Sequence, residues 1–120
     1  MRVTIAAVLL CVSSSAFAVD FTKPILDIDG KPVCQAEADP CPADKVMTLA
    51  RVARIALGAN YPDEQNLAGD EKYKRGELAQ SLVGVGDIKL KSEDRALIKK
   101  LIGKLFNPTV VYSAWNMLEQ

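Results

Sequence analysis

Cys34 and Cys41 stand in the stretch VCQAEADPC with six residues between them, the strongest chemical signal in the chain. Thioredoxin-like exchange needs a two-residue spacing at the start of a helix. A structural zinc site needs two further thiolate or imidazole ligands, and the chain has three cysteines and no histidine. The reading that fits an oxidising compartment is a disulfide staple, with two free buried thiols as the alternative. On the loop-length model such a bridge removes about 2.5 kcal/mol of unfolded-chain entropy.

Other motifs offer less chemistry. Asp27-Ile28-Asp29-Gly30 looks like half a calcium loop. Aligning Gly30 with that loop's glycine puts Ile25 and Ala36 at its first and last ligand positions, so two required oxygens are missing. Turn formation accounts for the motif. Gly84-Val85-Gly86 follows a helical pattern rather than a strand, and Lys89 stands where a dinucleotide fingerprint needs its third glycine. Without histidine the usual triads and the commonest general base are missing. The carboxylate pairs Asp27/Asp29 and Glu93/Asp94 each have a structural reason to exist, in a turn and in a helix's first turn. No catalytic, cofactor-binding or metal-binding residue is nominated.

Candidate contact features lie near the C-terminus. Arg95, Lys99, Lys100 and Lys104 fall on or beside the polar side of one helical pattern, which suits an acidic partner or simply a solvated face. Tyr112 and Trp115, three apart, flank the apolar face of the next helix, and interface hot spots favour these two residue types. Packing at the edge of the core is the alternative.

The chain opens MRVTIAAVLLCVSSSAFAVD. Arg2 is a short basic region, Val3–Val12 an apolar run, and Ala16-Phe17-Ala18 carries small residues where a signal peptidase reads. This predicts a leader over 1–18, cleaved after Ala18, that takes Cys11 with it. Residues 19–120 then form a single small domain in the periplasm or outside the cell, with no stable membrane insertion after cleavage. Fifteen Lys and Arg balance fifteen Asp and Glu, which argues against a nucleic-acid binder.

The elements that must position these residues follow from periodicity. Ile25–Ile28 and Lys31–Cys34 read as a β-hairpin closed by a two-residue Asp29-Gly30 turn. Thr48 caps a helix whose Leu49, Val52, Ala53, Ala56 and Leu57 share one face, apolar enough to sit centrally. Further helices are expected over Gly69–Val83, from a Ser92 cap to Phe106, and over Thr109–Glu119, with Asn107-Pro108 breaking the last two apart. Gly76 suggests a close helix crossing, and Ile88–Leu90 a short extended piece. The fold class expected is α+β, mostly α: a short N-terminal β-hairpin packed on about four helices.

Read in order, the blocks DFTKPILDIDGKPV, TLARVARIAL, GDEKYKRGELAQSL and LKSEDRALIKKLIGKLFNPTVVYSAWNMLE resemble a family of small uncharacterised proteins encoded by bacteriophages and prophages. The resemblance spans Asp20 to Glu119 and implies no catalytic residues. The leader and the cysteine pair depart from the family pattern and imply a member recruited to the envelope or exterior. The function expected is a non-enzymatic interaction module with an unknown protein partner there, possibilities from other classes being a small envelope-acting enzyme using Asp27 and Asp29 or a self-associating structural component.

Overall fold

The computed structural model describes residues 17–37, 40–83 and 86–119. Among these residues the architecture is mostly α, with four α-helices and one two-stranded antiparallel sheet. The helices are α1 (Leu49–Gly58), α2 (Gly69–Ser81), α3 (Ser92–Leu105) and α4 (Pro108–Glu119). No helix among the described residues is long and apolar enough to cross a membrane.

Helix α1 forms where its apolar period demands. Thr48 accepts a hydrogen bond from the Arg51 N–H at 3.2 Å, which satisfies one of the donors every helix start leaves open. Leu49, Val52, Ala53, Ala56 and Leu57 are buried, and α1 touches α2, α3 and α4. It is the central post of the core, as its sequence predicts. Ile98, Leu101 and Ile102 from α3 and Val110, Ala114 and Leu118 from α4 close over it. Truncating a fully buried Leu such as Leu101 to Ala costs about 2–5 kcal/mol in such a setting. Asn107 accepts the Val110 N–H at 3.0 Å and so caps α4, whose first residue is Pro108; proline at that position lacks only a donor that would be open anyway.

Segment 25–34 doubles back as expected, with a different turn. The Asp27 N–H donates to the Lys31 carbonyl, the Gly30 N–H to the Asp27 carbonyl, and Leu26 bridges Pro32. The loop therefore has three residues, Ile28-Asp29-Gly30, rather than two. Gly30 sits at φ +81°, the left-handed position that follows a type I turn in three-residue hairpins. Asp27 explains the longer loop: its Oδ1 accepts the N–H groups of both Asp29 and Lys31 at 2.9 Å. This local carboxylate bonding competes with the tighter turn.

The hairpin joins a third segment at a closed triangle. The Ile25 N–H donates to the Met47 carbonyl, the Met47 N–H to Val33 and the Val33 N–H to Ile25, each at 2.8 Å. Ile25 is fully buried at this junction. Cys34 bridges Val46 next to it, and Cys34 and Cys41 form the disulfide, with Cα atoms 5.8 Å apart.

The sheet pairs β1 (Phe17–Asp20) with β2 (Asp87–Leu90), in the register Phe17↔Leu90 to Asp20↔Asp87. The extended piece expected near Ile88 thus finds its partner at the far end of the chain. Of the predicted leader, residues 1–16 lie outside the described residues, while Phe17 and Ala18 belong to β1. Val19 and Phe21 are buried, so the strand is anchored mainly downstream of the predicted cleavage point.

Helix α2 holds one surprise. Arg75 is its buried residue, and Leu78 and Ala79 are half-buried. Gly76 marks no helix crossing: a Cβ placed there has nothing within 4 Å. Gly84 and Val85, the terminator expected after α2, lie outside the described residues.

Candidate interaction surface

The turn and α4 together frame a groove. One wall is Pro24, Leu26 and Ile28 from the hairpin; the other is Tyr112, Asn116 and Met117 from α4; the recess between them is about 470 Å³. Its two walls are joined through Ser113, whose Oγ accepts the Leu26 N–H at 3.0 Å. Ser113 is itself buried, so this bond is partly screened from water and an unmatched amide there carries a cost.

Two large apolar side chains on the rim stand far out into solvent. Ile28, at the turn's tip, is 90% exposed, and Tyr112 is 74% exposed. Turn geometry explains why Ile28 stands out: it occupies the first loop position, where no neighbouring strand covers a side chain. Tyr112 lies on the outer flank of α4, opposite the Ala114 and Leu118 face that enters the core. Exposed single apolar residues are ordinary on a protein surface; here two of them, Ile28 and Tyr112, face one recess. Lys23 and Asp27 are the charged residues among those that line this recess.

The structure gathers Trp115, Lys99 and Arg95 at the α3–α4 seam and places Tyr112 and Lys104 elsewhere. Trp115 turns away from the groove toward α3. Its indole N–H donates to the Lys99 carbonyl at 3.0 Å, and the Lys99 ammonium lies 4.8 Å from the ring centroid. Lys99 also pairs with Glu119 at 2.6 Å, and this hydrogen bond holds the Glu119 carboxyl below the usual carboxylate range. Gly103 makes room for the indole, since a Cβ there would come within 3.1 Å of Trp115 Cζ2. Trp115 therefore clamps α4 to α3. Arg95 donates to the Leu118 carbonyl at 3.4 Å in the same seam. Lys100 is exposed on α3. Lys104 is engaged elsewhere, 2.7 Å from Asp63 Oδ2 and 5.0 Å from the centroid of the Tyr61 ring. Of the six nominated residues, only Tyr112 lines the groove.

A polar cluster that sequence reasoning missed lies beside α2. Arg75 Nη1 and Nη2 donate to Glu64 Oε1 and Oε2, both at 2.8 Å. Arg75 is only 6% exposed. Its hydrogen bonds push the Glu64 carboxyl down to about 2, and Lys104 similarly holds the Asp63 carboxyl low. Tyr61, whose ionisation burial disfavours, donates its hydroxyl to the Ala56 carbonyl at 2.6 Å. These bonds pin the 61–68 loop against α1, α2 and α3. A second recess of about 450 Å³ opens between that loop and α2. In sequence, Arg75 reads as an exposed i+4 partner of Glu71. Nothing local reveals that its guanidinium reaches Glu64 instead.

Cys34 and Cys41, joined by the disulfide, are not among the residues that line the groove. Asp27 has one carboxylate oxygen committed to its own turn. No group of three or more His, Cys, Asp or Glu able to hold a metal ion occurs among the described residues. Comparison of the chain with protein-family models, curated protein sequences and solved structures finds no match.

Proposed function

We propose that the chain is an exported, non-enzymatic interaction module of the periplasm or exterior, which binds a protein partner through the groove between the turn and α4. The observation that carries this is the exposed apolar rim, Ile28 at 90% and Tyr112 at 74% exposure, around a recess whose two walls are tied together from beneath. Tyrosine is among the usual anchors of protein interfaces, and an exposed isoleucine beside a recess adds apolar area that a partner can cover. Export is supported by the leader-like N-terminus together with the Cys34–Cys41 bridge, a bond that persists in oxidising compartments. The four sequence blocks support a prophage origin.

The test uses the oxidised chain in an envelope or culture-medium extract of its own cell, with lysine-directed crosslinking and mass spectrometry. Crosslinks to protein should start from Lys23 at the groove and Lys31 next to the turn, and Ile28→Asp should abolish them. Crosslinks confined to Lys72 and Lys74 of α2, or unchanged by Ile28→Asp, overturn the assignment of the surface.

A further inference from the structure

We infer that the recess between the 61–68 loop and α2 binds a small carboxylate with a short apolar body. This recess shares no lining residue with the groove beside α4.

Arg75 lines the recess and is only 6% exposed. A guanidinium holds five N–H donors in a rigid fork. Glu64 takes one donor from Nη1 and one from Nη2, which leaves the side edge of the fork, where Nε stands. That Nε is buried and has no hydrogen-bond partner among the described residues. Buried polar atoms are nearly always paired, and each exception calls for an explanation. The side edge presents two parallel donors, a geometry that the two oxygens of a carboxylate match. Charge agrees with this. Arg75, Lys72 and Glu64 are the charged residues lining the recess, two cations against one carboxylate, so a single added carboxylate restores balance. Nε is closed to solvent, and the acceptor reaches it through a side-chain movement in the wall; Gln65 and Lys72 there are exposed and long enough to make one.

Two glycines give independent support. Gly58 and Gly76 both line the recess. Neither has a positive φ, and a Cβ added to either meets nothing within 4 Å. Backbone conformation and close packing therefore give no reason for glycine, which weakens a helix relative to alanine. What the two positions share is the recess, which a side chain at either would narrow. Leu57, Tyr61 and Leu67 supply apolar wall, and about 450 Å³ suits a small organic molecule. A short aliphatic or aromatic acid fits both halves of this lining. Phosphate or sulfate would leave the apolar wall uncovered.

NMR titration of the oxidised chain with hexanoate and benzoate, each beside its uncharged counterpart, hexanamide or benzamide, provides the test. The Arg75 Nε–H has its own resonance and reports directly on a new acceptor. Up to about 10 mM, a range suited to ligands of so few atoms, the acids should shift it saturably, together with the backbone signals of Asn60, Gln65 and Leu67. The uncharged counterparts should bind about fivefold more weakly or worse. Lys72 is exposed, so Lys72→Gln leaves the fold intact; it should weaken the acids to a similar degree and leave their counterparts unaffected. No saturable shift of the Arg75 Nε–H with either acid overturns the inference. So does an uncharged counterpart that binds as tightly as its acid, or an unchanged affinity for the acids in Lys72→Gln.

Discussion

Ser113 provides a strict test of how the groove is built. Replacing it with Ala removes the acceptor of the Leu26 N–H, a 3.0 Å bond formed at a buried hydroxyl. An amide left without a partner in such a place costs about 1–3 kcal/mol. Alanine also favours the helix over serine by roughly 0.5 kcal/mol, which acts in the opposite direction. The net destabilisation is then about 0.5–2.5 kcal/mol, or a fall in Tm of roughly 2–20 °C for a domain of this size. Thermal unfolding measures the total, and amide exchange at Leu26 measures the place. Exchange there should accelerate in Ser113→Ala and remain slow in Ser113→Thr, which keeps a hydroxyl at the same position. Unchanged Tm together with unchanged protection of the Leu26 amide would refute the argument that this bond ties the hairpin to α4.

Three other perturbations have definite outcomes. Replacing Cys34 and Cys41 together with Ser should lower stability by about 2.5 kcal/mol on the loop-entropy model, and denaturant titration of oxidised wild type against the variant measures it. Glu64 has a folded pKa of about 2, below its unfolded value near 4.5. Its contribution is therefore fully present above the unfolded value and is lost as pH falls from there toward 2; an acid titration of stability should show a shallower decline in Glu64→Gln than in wild type. Gly103→Ala brings a Cβ to 3.1 Å from the indole of the chain's one tryptophan, so Trp115 fluorescence should shift to the red as the ring is pushed outward. The gain in helix propensity, about 1 kcal/mol, limits the loss of stability.

Much of the scaffold was legible because helices announce themselves locally. The spacing of Leu49, Val52, Ala53, Ala56 and Leu57 predicts both a helix and its central position, and Thr48 and Asn107-Pro108 mark boundaries through capping chemistry. The chain reversal at Asp27–Lys31 was legible from its residues, but the loop length was not: it depends on where the Asp27 carboxylate turns, a choice between two local hydrogen-bonding patterns. Contacts that cross the chain were hidden. The pairing of β1 with β2 involves four residues on each strand, too few for an alternating pattern to stand out. Arg75 carries the sequence signature of a solvated helix face and becomes buried only because a loop brings Glu64 to it. In the candidate site, Tyr112 was legible as an outward aromatic. Ile28 was not, since its exposure follows from the turn rather than from its hydrophobicity. Trp115 was legible as an aromatic beside the apolar face of α4, but its contact with Lys99 and the space at Gly103 depend on how α3 packs, which no local pattern encodes.

The pairing of β1 with β2 also sets an order of events. The strand closest to the N-terminus has its partner at Asp87–Leu90, so it cannot be completed until most of the chain has emerged from the ribosome or crossed a translocation channel. Until then, residues 17–20 have no neighbour with which to form a ladder. Helices α1 and α2 have their full sequences available before that point, so they can form ahead of the sheet.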